Sequence, residues 1–252
     1  MKPKITIITV TYNCEQVIKK TIDSVLSQTY GAIEYIIVDG ASKDNTFSLV
    51  QAYGSRIHKA ISEPDKGLYD AMNKGLSLAT GDFVWFVNAG DRIHSEDTVE
   101  KMMQFYESDT DVLYGEVMMM DTNGQELGTR SEFTTQKLPK NLHWQSLRRG
   151  MVVSHQGFLP RLSITKPYIE NNLAADIDWV IEALKKSRKN TFVPLVLADF
   201  EIGGTSRQHH QQSLQNRYAV LRKQYGFWPN LWNHGWIVLR AIGYRILGKA
   251  RY

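Results

Sequence analysis

One cysteine, Cys14, in 252 residues leaves no partner for an internal disulfide and suits a reducing, cytoplasmic setting. Long apolar runs are equally scarce, and none approaches the ~20 residues that a membrane-crossing helix requires. The opening MKPKITIITVTYN passes from lysines into a β-branched alternation without a small-residue cleavage site, so no secretory leader is expected. Two phosphate-binding signatures are missing. No G-x-x-x-x-G-K-[ST] loop occurs and no G-x-G-x-x-G follows the first expected strand, which argues against an ATPase and an ordinary dinucleotide dehydrogenase. Internal repeats and low-complexity tracts are absent. The formal charge of +4 is modest and does not suggest a nucleic-acid binder. The basic excess collects near the C-terminus, where Arg240, Arg245, Lys249 and Arg251 have no acidic neighbours.

What is present is 42% hydrophobic content, enough for a sizeable core, arranged as alternating strand and helix patterns. ITIITVTYN (5–13) reads as a strand, followed by a helix to about Ser27 with Val17, Ile18, Ile22, Val25 and Leu26 at helical spacing. EYIIVDG (34–40) is the second strand, RIHKAIS the third and FVWFV the fourth, with helical patterns beginning near Asp44 and spanning YDAMNKGLSLATG. This βαβ succession predicts an α/β fold with a Rossmann-like, mostly parallel central sheet flanked by helices. A helix from about Glu96 to Tyr106 precedes DVLYGEVMMM, after which DTNGQELG reads as a hairpin turn and residues 134–150 as loop. VVSHQGFLPR and TFVPLVLADFEIGG read as strands around the helix LAADIDWVIEALKK, and SRQHHQQSLQNRYAVLRKQYG as a long polar helix. Residues 1–225 are therefore expected to form one domain of two halves, 1–115 and 116–225, with 226–252 an aromatic and basic helical tail.

Ligands of parallel α/β sheets lie beyond the carboxyl ends of the strands. There the sequence places Thr11, Tyr12 and Asn13, then Asp39, then Glu63 and Asp65, then Asn88 and Asp91. Any one of these is an ordinary helix cap or turn former, but four successive strand ends suggest a shared rim. Carboxylates gathered there repel a phosphate unless a divalent cation stands between them, and hard oxygen ligands suit Mn²⁺ or Mg²⁺. In VNAGD, Gly90 permits tight backbone geometry, Ala89 leaves room for a ligand and Asp91 can hold the metal.

VTYN after the first strand, VDGASKDNT after the second, SEPDKGLYDAMNKGLSLATGD before the fourth and NAGD behind it together resemble family 2 glycosyltransferases of GT-A fold. The likeness is greatest to bacterial members that build surface polysaccharides of the colanic-acid type. It is dense over residues 4–92 and thinner to about 210. It implies transfer of a sugar from a nucleotide-diphosphate donor, typically UDP-linked, to a saccharide or lipid-linked acceptor hydroxyl, metal-assisted and with inversion. On this likeness Val10, Thr11, Tyr12 and Asn13 wall the nucleotide site, Asp39 recognises the base, and Asp65 touches base or ribose. Lys66, Tyr69, Asn73 and Lys74 line the donor pocket. Asn88, Ala89, Gly90 and Asp91 occupy the D-x-D metal motif. With Asn and Gly replacing its acids, Asp91 must carry most of the metal's charge. His155 and Gln156 fall on the acceptor side, as does the connection Gly203, Gly204, Thr205 and Ser206, from which Arg207, His209 and His210 could meet the diphosphate.

An inverting transfer needs a carboxylate to take the acceptor's proton. AADIDWVIEAL offers Asp176 and Asp178, with Ile177, Val180, Ile181 and Leu184 as the expected buried stripe and the two acids on opposite flanks. The resemblance puts Asp176 at the family's Glu-Asp base motif, with Ala175 in place of the Glu, and leaves Asp178 at most an acceptor-side role. The rival reading makes either acid a first-turn charge stabilised by the helix dipole, and Asp176 is preferred as the base. In the tail, Trp228, Trp232, Trp236 and Tyr244 with the basic cluster suit an interfacial helix on an anionic membrane, peripheral at its inner face. Packing on its own domain or in a homodimer would use the same composition. Two other activities share parts of this residue set. A sugar-phosphate nucleotidyltransferase would want a Gly-rich basic loop where TYNCEQVIKK stands, and a noncatalytic nucleotide-sugar sensor or membrane-surface scaffold would bind without turnover.

Overall fold

The computed structural model describes residues 2–202 and 210–246. The connection from Gly203 to His209, the side chain of His210, and the terminal basic and aromatic side chains from Arg240 onwards, Tyr244 included, lie outside the described residues.

Four strands form a wholly parallel sheet in the order β3-β2-β1-β4: β1 (Ile5–Thr11), β2 (Ile33–Asp39), β3 (Lys59–Ser62) and β4 (Phe83–Phe86). Every residue of β1 and β4 is buried, as expected for central strands of a sheet covered on both faces. Ile8, Val10, Ile36, Val38, Val84 and Phe86 face one layer, in which α3 (Leu68–Leu78) inserts Ala71 and Met72. Ile5, Ile7, Ile37, Phe83 and Trp85 face the other, covered by α1 (Ile18–Leu26) through Ile18, Ile22 and Val25, with Val50 of α2 (Thr46–Gln51) beside them. The short α4 (Thr98–Met103) adds Val99 and Met102 to this second layer.

A second, mixed sheet was not legible from the strand patterns. It comprises β5 (Arg92–Ile93), β6 (Val112–Met120), β7 (Glu126–Thr129) and β9 (Asn190–Glu201) in the order β5-β9-β6-β7, with β8 (Phe158–Pro160) on β6. The β6–β9 pairing is parallel and breaks register: Tyr114 pairs with Phe192 but Glu116 with Val196. Pro194 lies in the skipped segment, where a residue lacking an N–H cannot join the ladder. The stretch expected as one strand, VVSHQGFLPR, is split. His155–Gly157 forms a 3-10 turn and only Phe158–Pro160 is extended.

α5 (Arg130–Phe133) follows β7 and starts on a capping box in which Thr129 and Glu132 bond reciprocally. α6 (Ala175–Lys186), α7 (His210–Tyr225) and α8 (Phe227–Ile246) complete the chain. The last helix is turned inside out. Asn230 and Asn233 are 0% and 6% exposed, whereas Trp228 and Trp232 are 76% and 80% exposed, with Leu231, Val238 and Leu239 also outward. No helix among the described residues is long and apolar enough to cross a membrane.

Candidate active site

The parallel sheet brings the expected rim together. Thr11 is in register with Asp39, and Asp39 with Ser62, so three strand ends stand side by side. The fourth joins through Ala89 N, which donates to Val10 O at 3.2 Å. Tyr12 stands 52% exposed above this edge. Gly40 shows how tightly the rim is built: a Cβ added there would lie 2.2 Å from Asp65 Oδ2 and 3.4 Å from the Tyr12 ring. Tyr12, Gly40 and Asp65 therefore line one cleft. Asp65 is itself oriented by Gly67 N, which donates to Oδ1 at 2.8 Å.

Several expected contacts have internal partners. Asp39 is fully buried: Oδ2 accepts from Ser42 N at 3.0 Å and Ser62 Oγ at 2.6 Å, and Oδ1 accepts from Ser42 Oγ. A carboxylate has about four lone-pair sites, so this leaves roughly one for a base. Asn13, in left-handed backbone geometry at φ 51, latches the neighbouring loop by accepting from Lys43 N at 2.8 Å. Asn73 clamps Tyr168 through both ends of its amide, accepting at 2.6 Å and donating at 3.0 Å. Lys66 is exposed, 4.0 Å from Glu170. Lys74 binds Glu63 at 3.1 Å and Pro64 O at 2.6 Å, bracing the approach to α3.

The NAGD turn is held from below. The Thr21 hydroxyl of α1 accepts from Gly90 N at 3.0 Å and donates to Asp91 O at 2.7 Å, while Gly90 takes φ 104, a region closed to most L side chains. Asn88 and Asp91 both reach the 3-10 turn at residues 155–157. Asn88 Nδ2 lies 3.4 Å from His155 Nε2, and Gln156 Nε2 donates to Asp91 Oδ2 at 3.1 Å. Burial pulls the pKa of His155 down to about 4, so the ring is neutral. Burial pushes Asp91 up to about 7 against the Gln156 bond. Asn88 Oδ1 is buried with no hydrogen-bond partner. An orphaned amide oxygen and a carboxylate short of stabilisation, three residues apart on one turn, are hard oxygen donors of the kind that fit a divalent cation. Among the described residues no three His, Cys, Asp or Glu side chains cluster as a metal site.

Asp176 opens α6 beside the aromatic group Tyr69, Tyr168 and Trp179, whose rings stack at 5.4 and 4.9 Å. Tyr69 lies at the start of α3, directly after the β3 rim, and interacts with Asp176; this joins the acid to the cleft. Burial raises the Asp176 carboxyl to about 6, and its own helix N–H groups, Arg130 and Arg217 offset part of the rise. Arg130 escaped the sequence reading, although the T-x-x-E pattern at 129–132 marked the helix start that places it. Tyr168, whose buried hydroxyl has no partner, gave no sequence signal.

Asp178 corrects the expectation of two flanking acids. It is buried, accepting from Lys166 Nζ and Gln224 Nε2 at 2.7 Å each and from Lys223 Nζ at 3.3 Å. Burial alone would raise its pKa, but these partners hold it below the usual carboxylate range. The helix is buried on more than one stripe because α7 covers the side that Asp178 occupies, which removes it from any acceptor. Asp178→Ala is expected to cost about 3 kcal/mol in urea unfolding by stranding its partners, with donor affinity unchanged.

A parallel α/β sheet with polar side chains gathered behind its strands, and two carboxyls of raised pKa in Asp91 and Asp176, has the fold of a GT-A glycosyltransferase. The profile of Glycosyl transferase family 2 matches residues 6–163, more than half the chain, and the chain belongs to that family. It is 34% identical over 126 residues to the PGL/p-HBAD biosynthesis glycosyltransferase of Mycobacterium bovis, covering 48% of this chain and 49% of the relative. It is 37% identical over 107 residues to TuaG of Bacillus subtilis, whose name places it in teichuronic acid biosynthesis, covering 41% and 42%. These matches span about half the length of each relative. In fold it is similar to S. aureus TarS in complex with UDP-GlcNAc (TM-score 0.68, 19% identity, 88% of this chain and 67% of that one). It is also similar to the mannosyltransferase PcManGT of Pyrobaculum calidifontis in complex with GDP-Man and Mn²⁺ (TM-score 0.64, 17% identity, 98% and 76%).

Proposed function

We propose that this chain, through one catalytic domain at residues 1–225, transfers a sugar from a nucleoside diphosphate donor to an acceptor hydroxyl during assembly of a bacterial surface glycan. The observation that carries the reading is Asp176, a carboxyl raised to about 6 that interacts with Tyr69 on α3, the helix that follows the strand-end segment bearing Asp65. The base and ribose rest against Tyr12 and Asp65, and Asp39 fixes the floor beneath them. Asn88 and Asp91 hold a divalent cation, Mn²⁺ or Mg²⁺, which when bound supplies counter-charge for the departing diphosphate. Asp176 accepts the proton of the attacking hydroxyl, and displacement from the opposite face inverts the anomeric carbon. The names of the mycobacterial relative and TuaG support a glycan product, and TarS with UDP-GlcNAc supports a UDP-linked donor. Nucleoside diphosphate release across a panel of nucleotide sugars and acceptors, with Mn²⁺ or chelator, is the test. Pyrophosphate release from a nucleoside triphosphate, or binding without turnover under every acceptor, would replace the reading.

The reversed polarity of α8 supports a peripheral position on an anionic bilayer. Its outward tryptophans have the size and amphipathic character of interfacial anchors, and the sequence adds basic residues after them. Trp228→Ser/Trp232→Ser is expected to reduce co-sedimentation with phosphatidylglycerol vesicles by at least about tenfold, in line with the apolar area withdrawn, and to leave turnover on a soluble acceptor unchanged. A wild-type dimer that the same double change dissolves, without any vesicle binding, would assign the face to a second copy instead.

A further inference from the structure

A second polar recess stands apart from the strand rim. The 3-10 turn Trp144–Arg149 and the loop before it enclose an open cavity of about 480 Å³, lined by Gln136, His143, Gln145, Ser146, Arg148 and Arg149. That volume falls in the range of small-ligand sites, roughly 300–1,000 Å³. Its lining contains two guanidinium groups, an imidazole, two amides and a hydroxyl, and no acid. Neither arginine has an ion pair among the described residues.

Arg149 is the informative member. Its Nε is buried with no hydrogen-bond partner, and its guanidinium lies 4.9 Å from the ring centre of Trp236 on α8. A buried donor left unsatisfied is costly, and native structures rarely keep one without a ligand or other use for it. The turn that carries it is rigidly seated. Gln136 Nε2 donates to Arg149 O at 2.8 Å, Gly150 N donates to Leu147 O at 2.9 Å, and Arg130 donates to the next two carbonyls, those of Met151 and Val152. Arg130 is the same side chain whose charge acts on Asp176. One wall thus runs from the recess to the candidate base, and Trp236 links it to the outward tryptophan face.

We infer that this recess binds a phosphate-bearing anion, held by Arg148 and Arg149, at the junction between the active site and the membrane-facing helix. Planar guanidinium groups pair with phosphate oxygens through parallel N–H bonds, and Arg148 and Arg149 both line the recess. The anion is separate from the donor's diphosphate, which the preceding reading seats at the strand rim. On that reading it is the phosphate of a lipid-linked acceptor or the headgroup of a neighbouring lipid.

Inorganic pyrophosphate titrated calorimetrically into the full chain, with chelator present and no sugar donor, tests this without requiring turnover. Wild type is expected to bind, Arg148→Gln/Arg149→Gln to bind at least tenfold more weakly, and Arg148→Lys/Arg149→Lys to recover part of the loss. Tyr12→Ala, at the donor rim, is expected to bind like wild type. No binding by wild type, equal binding by the glutamine variant with an unchanged melting temperature, or loss in Tyr12→Ala would overturn the inference. Phosphatidylglycerol vesicles then separate the two sources. Release of the protein from vesicles by saturating pyrophosphate identifies a lipid headgroup, and retention identifies the acceptor's own phosphate.

Discussion

Asp176→Asn is expected to lower kcat by about 10²- to 10⁴-fold, the contribution of a positioned general base, while donor binding stays within about twofold of wild type. The asparagine keeps the size of the side chain and its place at the start of α6, so the loss reads proton transfer rather than packing. The pH profile gives an independent mark. The residue acts as a base only when ionised, and burial lifts its carboxyl from 3.8 to about 6. Activity of the wild type should therefore climb as pH rises through about 6 and level off above it. The variant should lack that limb. Initial rates of nucleotide release over weakly acidic to alkaline buffers measure both effects, and a variant that retains rate and limb together would remove Asp176 from the chemistry.

Asp91→Asn should do two opposite things. Without metal it should stabilise the fold. Burial raises the folded-state pKa of Asp91 from 3.8 to about 7, so between those values the native chain binds more protons than the unfolded one. Stability is therefore lost as pH rises through this window, by up to roughly 4 kcal/mol at about 1.4 kcal/mol per pKa unit. An amide carries no charge to desolvate and escapes the penalty. Urea unfolding in chelator should accordingly show the variant more stable than wild type at pH above 7, with the gap closing in acid. With Mn²⁺ the order should change, because a cation that binds the native carboxylate raises the melting temperature of wild type and not of the variant. Turnover should fall at least about 10²-fold, as expected for removing charge stabilisation of a leaving group. Equal Mn²⁺ stabilisation of both proteins would take the metal away from Asp91.

The first half of the chain announced its architecture because its signals are local. A β-branched run buried on both faces, such as ITIITVT, is readable without knowing its neighbours, and a polar group directly behind each such run falls on the rim by geometry alone. The carboxylates of α6 were harder. Whether Asp178 faces solvent or lies inside depends on Lys223 and Gln224, 45 and 46 residues further along the chain, and no helical period encodes their arrival. The second sheet failed for a related reason, since β6 and β9 pair across some eighty residues and around a proline. The tail kept two meanings because an amphipathic pattern states that a helix has two faces and not which one is covered. In the fold Asn230 and Asn233 turn inward and leave Trp228 and Trp232 outward.

That inverted helix also divides the protein's six tryptophans into optical classes. Trp85 and Trp179 sit in the interior, while Trp228 and Trp232 stand in solvent, so acrylamide or iodide will quench one emitting population and spare the other. The outer pair reports what touches the surface, and the inner pair reports whether the fold is intact, in a single unlabelled sample.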